Sequence, residues 1–90
     1  MQIGRVIGQV VATRKDESLL AITLLVVQPL TAEGAAAGRP LVAADAAGAG
    51  VGENVFFVRG KEASFPFHPA EAPVDAAIVG IIDQIEVKEP

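Results

Sequence analysis

Gln2-Ile3-Gly4-Arg5-Val6-Ile7-Gly8-Gln9-Val10-Val11-Ala12-Thr13 decides how this chain folds. The stretch is rich in Val and Ile, which suit a pleated, half-buried surface, so it reads as one long strand. Gly4 and Gly8 interrupt it. A glycine inside a strand marks a bend or the close approach of another backbone, as at a barrel corner. Arg14-Lys15-Asp16-Glu17-Ser18 follows as a charged turn, and Leu19–Gln28 returns as a second strand, which makes a hairpin. Pro29 ends it.

The remaining punctuation is as regular. Thr31–Pro40 is a loop, because Gly34, Gly38 and Pro40 leave Ala35-Ala36-Ala37 too short a frame for a helix. Leu41–Asp45 is a third strand, Ala46–Gly52 a glycine-rich turn and Asn54–Arg59 a fourth strand. Gly60–Pro73 carries Pro66, Pro69 and Pro73 and is irregular, with one helical turn near Lys61–Ser64. Ala77–Val87 is the fifth strand. Five short strands with a loop or short helical turn before the last predict an all-β chain. The expected architecture is a small five-stranded OB-like barrel, one domain spanning residues 1–90.

The strand faces carry a second message. Side chains alternate along a strand, so a half-buried sheet alternates apolar with polar. Here Leu20, Ile22, Leu24 and Val26 oppose Ala21, Thr23, Leu25 and Val27. Val55 and Phe57 oppose Phe56 and Val58, and Val79, Ile81, Ile85 and Val87 oppose Ile78 and Ile82. One face can line a barrel, but the sequence offers no helices to cover the other. Leaving it in water exceeds what soluble monomers expose. Burying even ~600 Å² per subunit is worth on the order of 15 kcal/mol gross, at ~25 cal/mol per Å². The pattern therefore predicts self-association.

Composition narrows the function. Hydrophobic residues make up 51% of the 90, yet there is no Trp or Tyr and only four Phe. That suffices for a β-rich core but not for a large ligand cavity. Seven basic against eleven acidic residues give a net charge of −4, the wrong sign for a nucleic-acid partner. With no Cys and a single His, His68, neither thiol chemistry nor a multi-His metal site is expected. The longest apolar run, Leu24–Val27, or Leu19–Val27 if Thr23 is allowed, falls short of the ~20 residues a membrane helix needs. The N-terminus has no secretory pattern. The expectation is a soluble cytoplasmic protein with no membrane partner.

A search for reaction chemistry returns structural readings. Gly48-Ala49-Gly50-Val51-Gly52-Glu53 invites comparison with a phosphate loop. The dinucleotide fingerprint, however, needs glycine where Glu53 stands and a helix where a strand follows. A tight turn is the simpler reading, with amides lining an opening in an assembly as the other. Asp45, Glu53, Asp75 and Asp83 show no partner base or nucleophile, and Asp45 sits where Asp bonds its own backbone. His68, between Phe67 and Pro69, has no nucleophile beside it. Phe65 and Phe67 suit core or subunit packing. No catalytic residue, metal or cofactor is expected.

Five blocks in order then carry a resemblance. They are Met1–Thr13; Leu24-Leu25-Val26-Val27-Gln28-Pro29-Leu30; Val42-Ala43-Ala44-Asp45-Ala46-Ala47-Gly48-Ala49-Gly50 with Gly52-Glu53-Asn54-Val55; Val58-Arg59-Gly60; and Pro73-Val74-Asp75-Ala76-Ala77-Ile78-Val79-Gly80-Ile81-Ile82-Asp83. Together they cover nearly the whole chain, which resembles the EutN/CcmL family of bacterial microcompartment vertex proteins. The resemblance implies an OB-like barrel that forms homopentamers. These cap the five-fold vertices of polyhedral shells whose facets are tiled by hexameric shell proteins of another fold. The chain departs from the family at Lys61-Glu62-Ala63-Ser64, where relatives carry a Ser-Ser-Ala-Arg pattern, so the role of that arginine is not carried over. It departs also at Ala21-Ile22-Thr23, where relatives often have a Gly and a Lys.

With a ring in view, candidate positions follow. Ile78 and Ile82 are expected between subunits. Gly48, Ala49, Gly50 and Gly52 are expected to turn toward the ring axis, since small residues permit close backbone approach. Arg14, Lys15 and Arg59 are candidates for contact with the hexamers. Two other classes stand beside this reading: a small oligomeric binding or scaffold module for an enzyme, and an enzyme with a site between subunits.

Overall fold

The computed structural model describes residues 1–11, 22–60, 63, 66 and 75–86. Five strands account for half of them: β1 (Gln2–Gln9), β2 (Leu24–Pro29), β3 (Leu41–Asp45), β4 (Asn54–Arg59) and β5 (Ala76–Ile82). They close into a barrel in the order β1-β2-β3-β5-β4, with β4 returning to β1. All pairings are antiparallel except β3 with β5, which is parallel and short, Ala44 opposite Ala77 and Asp45 opposite Ile78. This is the five-stranded OB-like barrel that the turn signals predict. The expected helical turn near Lys61–Ser64 lies largely outside the described residues, as do Phe65, Phe67 and His68.

The third and fourth strands keep their expected bounds. The others are shorter. β1 stops at Gln9 rather than Thr13, although the Val10 amide still donates to the Leu24 carbonyl at 2.9 Å. β2 begins at Leu24 and runs to Pro29. β5 ends at Ile82, not Val87, because Ile82 is opposite Asn54, the first residue of its partner strand. Beyond Asn54 there is no ladder to pair with.

Apolar inward side chains fill the barrel: Val6, Leu25, Val27, Ala43, Val55, Phe57, Ala76 and Ile78. Gly4 is what lets them meet. A Cβ on Gly4 would collide with Val27 Cγ1 and lie 3.0 Å from Phe57 Cε1. The expected close approach within the first strand is thus a side chain of β2 crossing β1. At Gly8 the ladder shifts register by one residue, between Val6 and Gly8, a bulge that bends β1 around the barrel.

A second bulge changes which residues share a face. Phe57 pairs with Ile78 and Phe56 with Gly80, so Val79 is an extra residue in β5. One extra residue inverts the alternation beyond it. Ile78 and Ile82 therefore do not share a face, contrary to the simple alternation. Ile78 points inward against Phe57, whereas Ile82 is across from Asn54 on the outer side.

The chain does cover part of its own outer surface. Val58 and Ala77 form a second buried cluster with Ala63, which comes from the segment after β4. The outer face is nevertheless still apolar elsewhere. Ile7, Val42, Phe56 and Val79 remain exposed.

Candidate functional site

The glycine turn is built by two carboxylates. Asp45, the last residue of β3, accepts the Ala47 and Gly48 amides on Oδ1 at 3.0 and 3.1 Å and the Ala49 amide on Oδ2 at 3.0 Å. Glu53 accepts the Gly50 amide on Oε1 at 2.6 Å, while its own amide donates to the Gly50 carbonyl. The turn is then clamped to β1: the Gly52 amide donates to the Val6 carbonyl at 2.8 Å and the Val6 amide to the Glu53 carbonyl at 3.0 Å. Gly52 sits at φ +93°, a conformation that L side chains resist. Ala47 and Ala49 pack against the core, so the turn is a lid on one end of the barrel.

This geometry decides between two readings of the glycines. A phosphate loop needs free amides converging on an anion. Here the amides of residues 47 to 50 are already spent on Asp45 and Glu53, whose charge would repel an anion. Of the carboxylates considered for acid–base work, Asp45 and Glu53 are therefore structural. The signal was visible in Asp45 alone. The matching role of Glu53 was not, because it depends on the turn folding back through Gly50.

The other candidates separate. Ile78 is fully buried inside its own barrel and offers no side-chain surface to a neighbour, which corrects its placement between subunits. Ile78 is inward because it pairs with Phe57, and the bulge at Val79 turns Ile82 to the other face. Ile82 stays half-buried on the outer side. Arg59 is exposed at the end of β4, opposite Ala76. Arg14 and Lys15 lie outside the described residues.

Surface positions that alternation alone did not single out are Val42 and Val79. Val42, the second residue of β3, is 51% exposed, in a row with Val26 and Gly8 across three strands. Val79 is exposed beside Gly80, over which the Phe56 ring lies, 3.5 Å from where a Gly80 Cβ would stand. Between these two areas runs a polar row. Arg5 Nε donates to Asn54 Oδ1 at 3.1 Å, and Gln28, opposite Arg5, donates to the Pro29 and Gly38 carbonyls at 2.9 and 3.0 Å.

The chain's relatives share the fold and most of its length. It is 46% identical over 88 residues to the carboxysome shell vertex protein CcmL of Synechococcus elongatus, covering 98% of this chain and 89% of that protein. Among solved structures it resembles the GrpN pentameric microcompartment shell protein from Rhodospirillum rubrum, with a TM-score of 0.87 and 42% identity, covering 98% of this chain and all of that one. It also resembles Gloeobacter violaceus CcmL, with a TM-score of 0.85 and 40% identity, covering 97% of this chain and 90% of that one. The family profile described as "Ethanolamine utilisation protein EutN/carboxysome" matches residues 1–83. The closed five-stranded barrel and these matches agree: the chain belongs to the EutN/CcmL family.

Proposed function

We propose that this chain is a structural subunit of a bacterial microcompartment shell, closing as a homopentamer at the shell's five-fold vertices. The likeness to a pentameric shell protein over 98% of this chain and the whole of that one carries the reading. The exposed Val, Ile and Phe on the outside of a barrel whose inside is already full give it a physical motive. Such surface is stabilised by sister copies, and a closed ring needs no other partner to hide it.

The protein works by shape rather than catalysis. Five wedges make a plug of fixed angle, and that plug closes the gap that sheets of hexamers leave at a corner. The Gly48–Gly52 turn faces the ring axis in this proposal, where its small side chains let five copies approach. Its carboxylate-braced backbone keeps the lid rigid. The rim meets the hexameric shell proteins, with Arg59, Arg14 and Lys15 as contacts. The assembled shell lies in the bacterial cytoplasm.

Native mass spectrometry tests the ring, and electron microscopy of shells co-expressed with hexameric shell proteins tests the vertex. The expected results are a mass of five chains and closed polyhedra that become open tubes or sheets when this chain is omitted. A single-chain mass at micromolar concentration would refute the reading.

A further inference from the structure

We propose that Arg5, Asn54 and Gln28 form a docking site for an acidic residue carried on an extended segment of a different protein. The inference concerns a partner other than a sister copy and does not rest on the ring.

Strand pairing builds the site. Asn54 of β4 lies opposite Arg5 of β1, which lies opposite Gln28 of β2, so three polar side chains stand in one row across three strands. The row crosses an otherwise apolar face, with Ile3 and Phe56 to one side and Ile7 and Val26 to the other. Hydrogen bonds hold two of its members in place. Arg5 Nε donates to Asn54 Oδ1 at 3.1 Å, which leaves both Nη groups. Gln28 Nε2 donates to the Pro29 and Gly38 carbonyls at 2.9 and 3.0 Å, which leaves Oε1 to accept. Among the described residues no carboxylate pairs with Arg5. In a chain with eleven acidic residues to seven basic ones, this guanidinium is held by a neutral amide and its charge is left for something else.

The free groups name the ligand. The two Nη groups form a planar fork that matches the two oxygens of a carboxylate. Asn54 Nδ2 adds a neutral donor on one side of Arg5, and Gln28 Oε1 adds an acceptor on the other. Donors for an anion beside an acceptor for an N–H fit an acidic side chain together with a backbone amide of the segment that carries it. One cation suits one carboxylate, whereas a nucleic acid needs several. The aliphatic and aromatic neighbours exclude water from the pair once a segment lies across them, which strengthens it.

The probe is the peptide acetyl-Val-Glu-Val-amide, with acetyl-Val-Gln-Val-amide as its uncharged twin. Each is titrated into the full chain while the Arg5 Nε–H and the Asn54 and Gln28 side-chain amides are followed by NMR. The Glu peptide is expected to shift all three signals saturably, and added salt to weaken it. The Gln peptide is expected to bind about tenfold more weakly, the loss of one charge-assisted pair. Arg5→Gln should abolish the preference for Glu and Arg5→Lys should keep part of it. Arg39→Gln, at an exposed loop position, should leave it whole.

Equal affinity for the two peptides, or no saturable shift at Arg5, would overturn the site, and both outcomes are read on the wild-type protein. Loss of the native ring mass in a folded Arg5→Gln protein would also overturn it, because the acid facing Arg5 would then belong to a sister copy.

Discussion

Replacing Gly4 by alanine adds one methyl group at the tightest point of the barrel. The new Cβ would overlap Val27 Cγ1 and lie 3.0 Å from Phe57 Cε1 and 3.1 Å from the Gln28 carbonyl oxygen. None of these can retreat easily. Val27 and Phe57 are fully buried, and Gln28 is held in the β1–β2 ladder opposite Arg5. Overpacking of this kind costs about 1–3 kcal/mol. Gly4 does not have a positive φ, so alanine escapes backbone strain and recovers roughly 0.4–1 kcal/mol from a less flexible unfolded chain. The net loss expected is about 1–2 kcal/mol, which lowers Tm by roughly 5–15 °C in a domain of this size. Gly8→Ala is the internal control. It lies on the same strand, with the nearest atoms of Val26 at an ordinary 3.8 Å, and should leave stability unchanged or slightly raised. Thermal and urea unfolding followed by circular dichroism would measure both variants at one protein concentration. Native mass would confirm the same state of association, since assembly shifts apparent stability. A Gly4→Ala protein as stable as wild type would refute the claim that Val27 and Phe57 crowd β1.

Removing the Asp45 carboxylate, in Asp45→Ala, leaves the Ala47, Gly48 and Ala49 amides without their acceptor; a loss of about 2–3 kcal/mol is expected, with faster amide exchange at those three positions. Glu53→Gln keeps an acceptor for the Gly50 amide but not the charge, so urea titration should show a smaller loss, on the order of 1 kcal/mol. Gly52→Ala forces a methyl group into a left-handed conformation and should cost about 1–2 kcal/mol by the same titration, although nothing lies within 4 Å to clash with it. Phe57→Ala empties the centre of the core; a cost of about 3–5 kcal/mol should leave this small domain largely unfolded, with its dispersed amide spectrum lost.

The sequence was most legible where residue type alone determines geometry. Leu41–Asp45 and Asn54–Arg59 keep their expected bounds because glycine and proline punctuate them on both sides. Gly4 was legible as a close approach, though not which side chain makes it. What the sequence hid was phase. The extra residue at Val79 has no local signature, since Ile78-Val79-Gly80-Ile81-Ile82 reads equally well with or without a bulge. Yet it turned Ile82 away from the face of Ile78, which pairs with Phe57 in the core, and left Val79 outside. Pairing partners, not propensity, create the bulge. The same holds for Ala63, whose cover over Val58 and Ala77 depends on where the chain after β4 comes to lie.

Closure of the barrel also limits how copies can join. An open sheet has unpaired edges, and neighbours can add to them strand by strand without end. Here the short parallel seam of β3 and β5 removes the edge, with Ala44 opposite Ala77 and Asp45 opposite Ile78. Among the described residues no strand is left unpaired to template another copy. Subunits must then meet through outward side chains, and the angle between them is set by the shapes of those side chains. An angle fixed by packing closes a ring and stops, which is what a corner piece of a shell requires. The apolar outer faces and the closed inner core are therefore one adaptation: the barrel withholds its backbone from neighbours, so outward side chains decide where they sit.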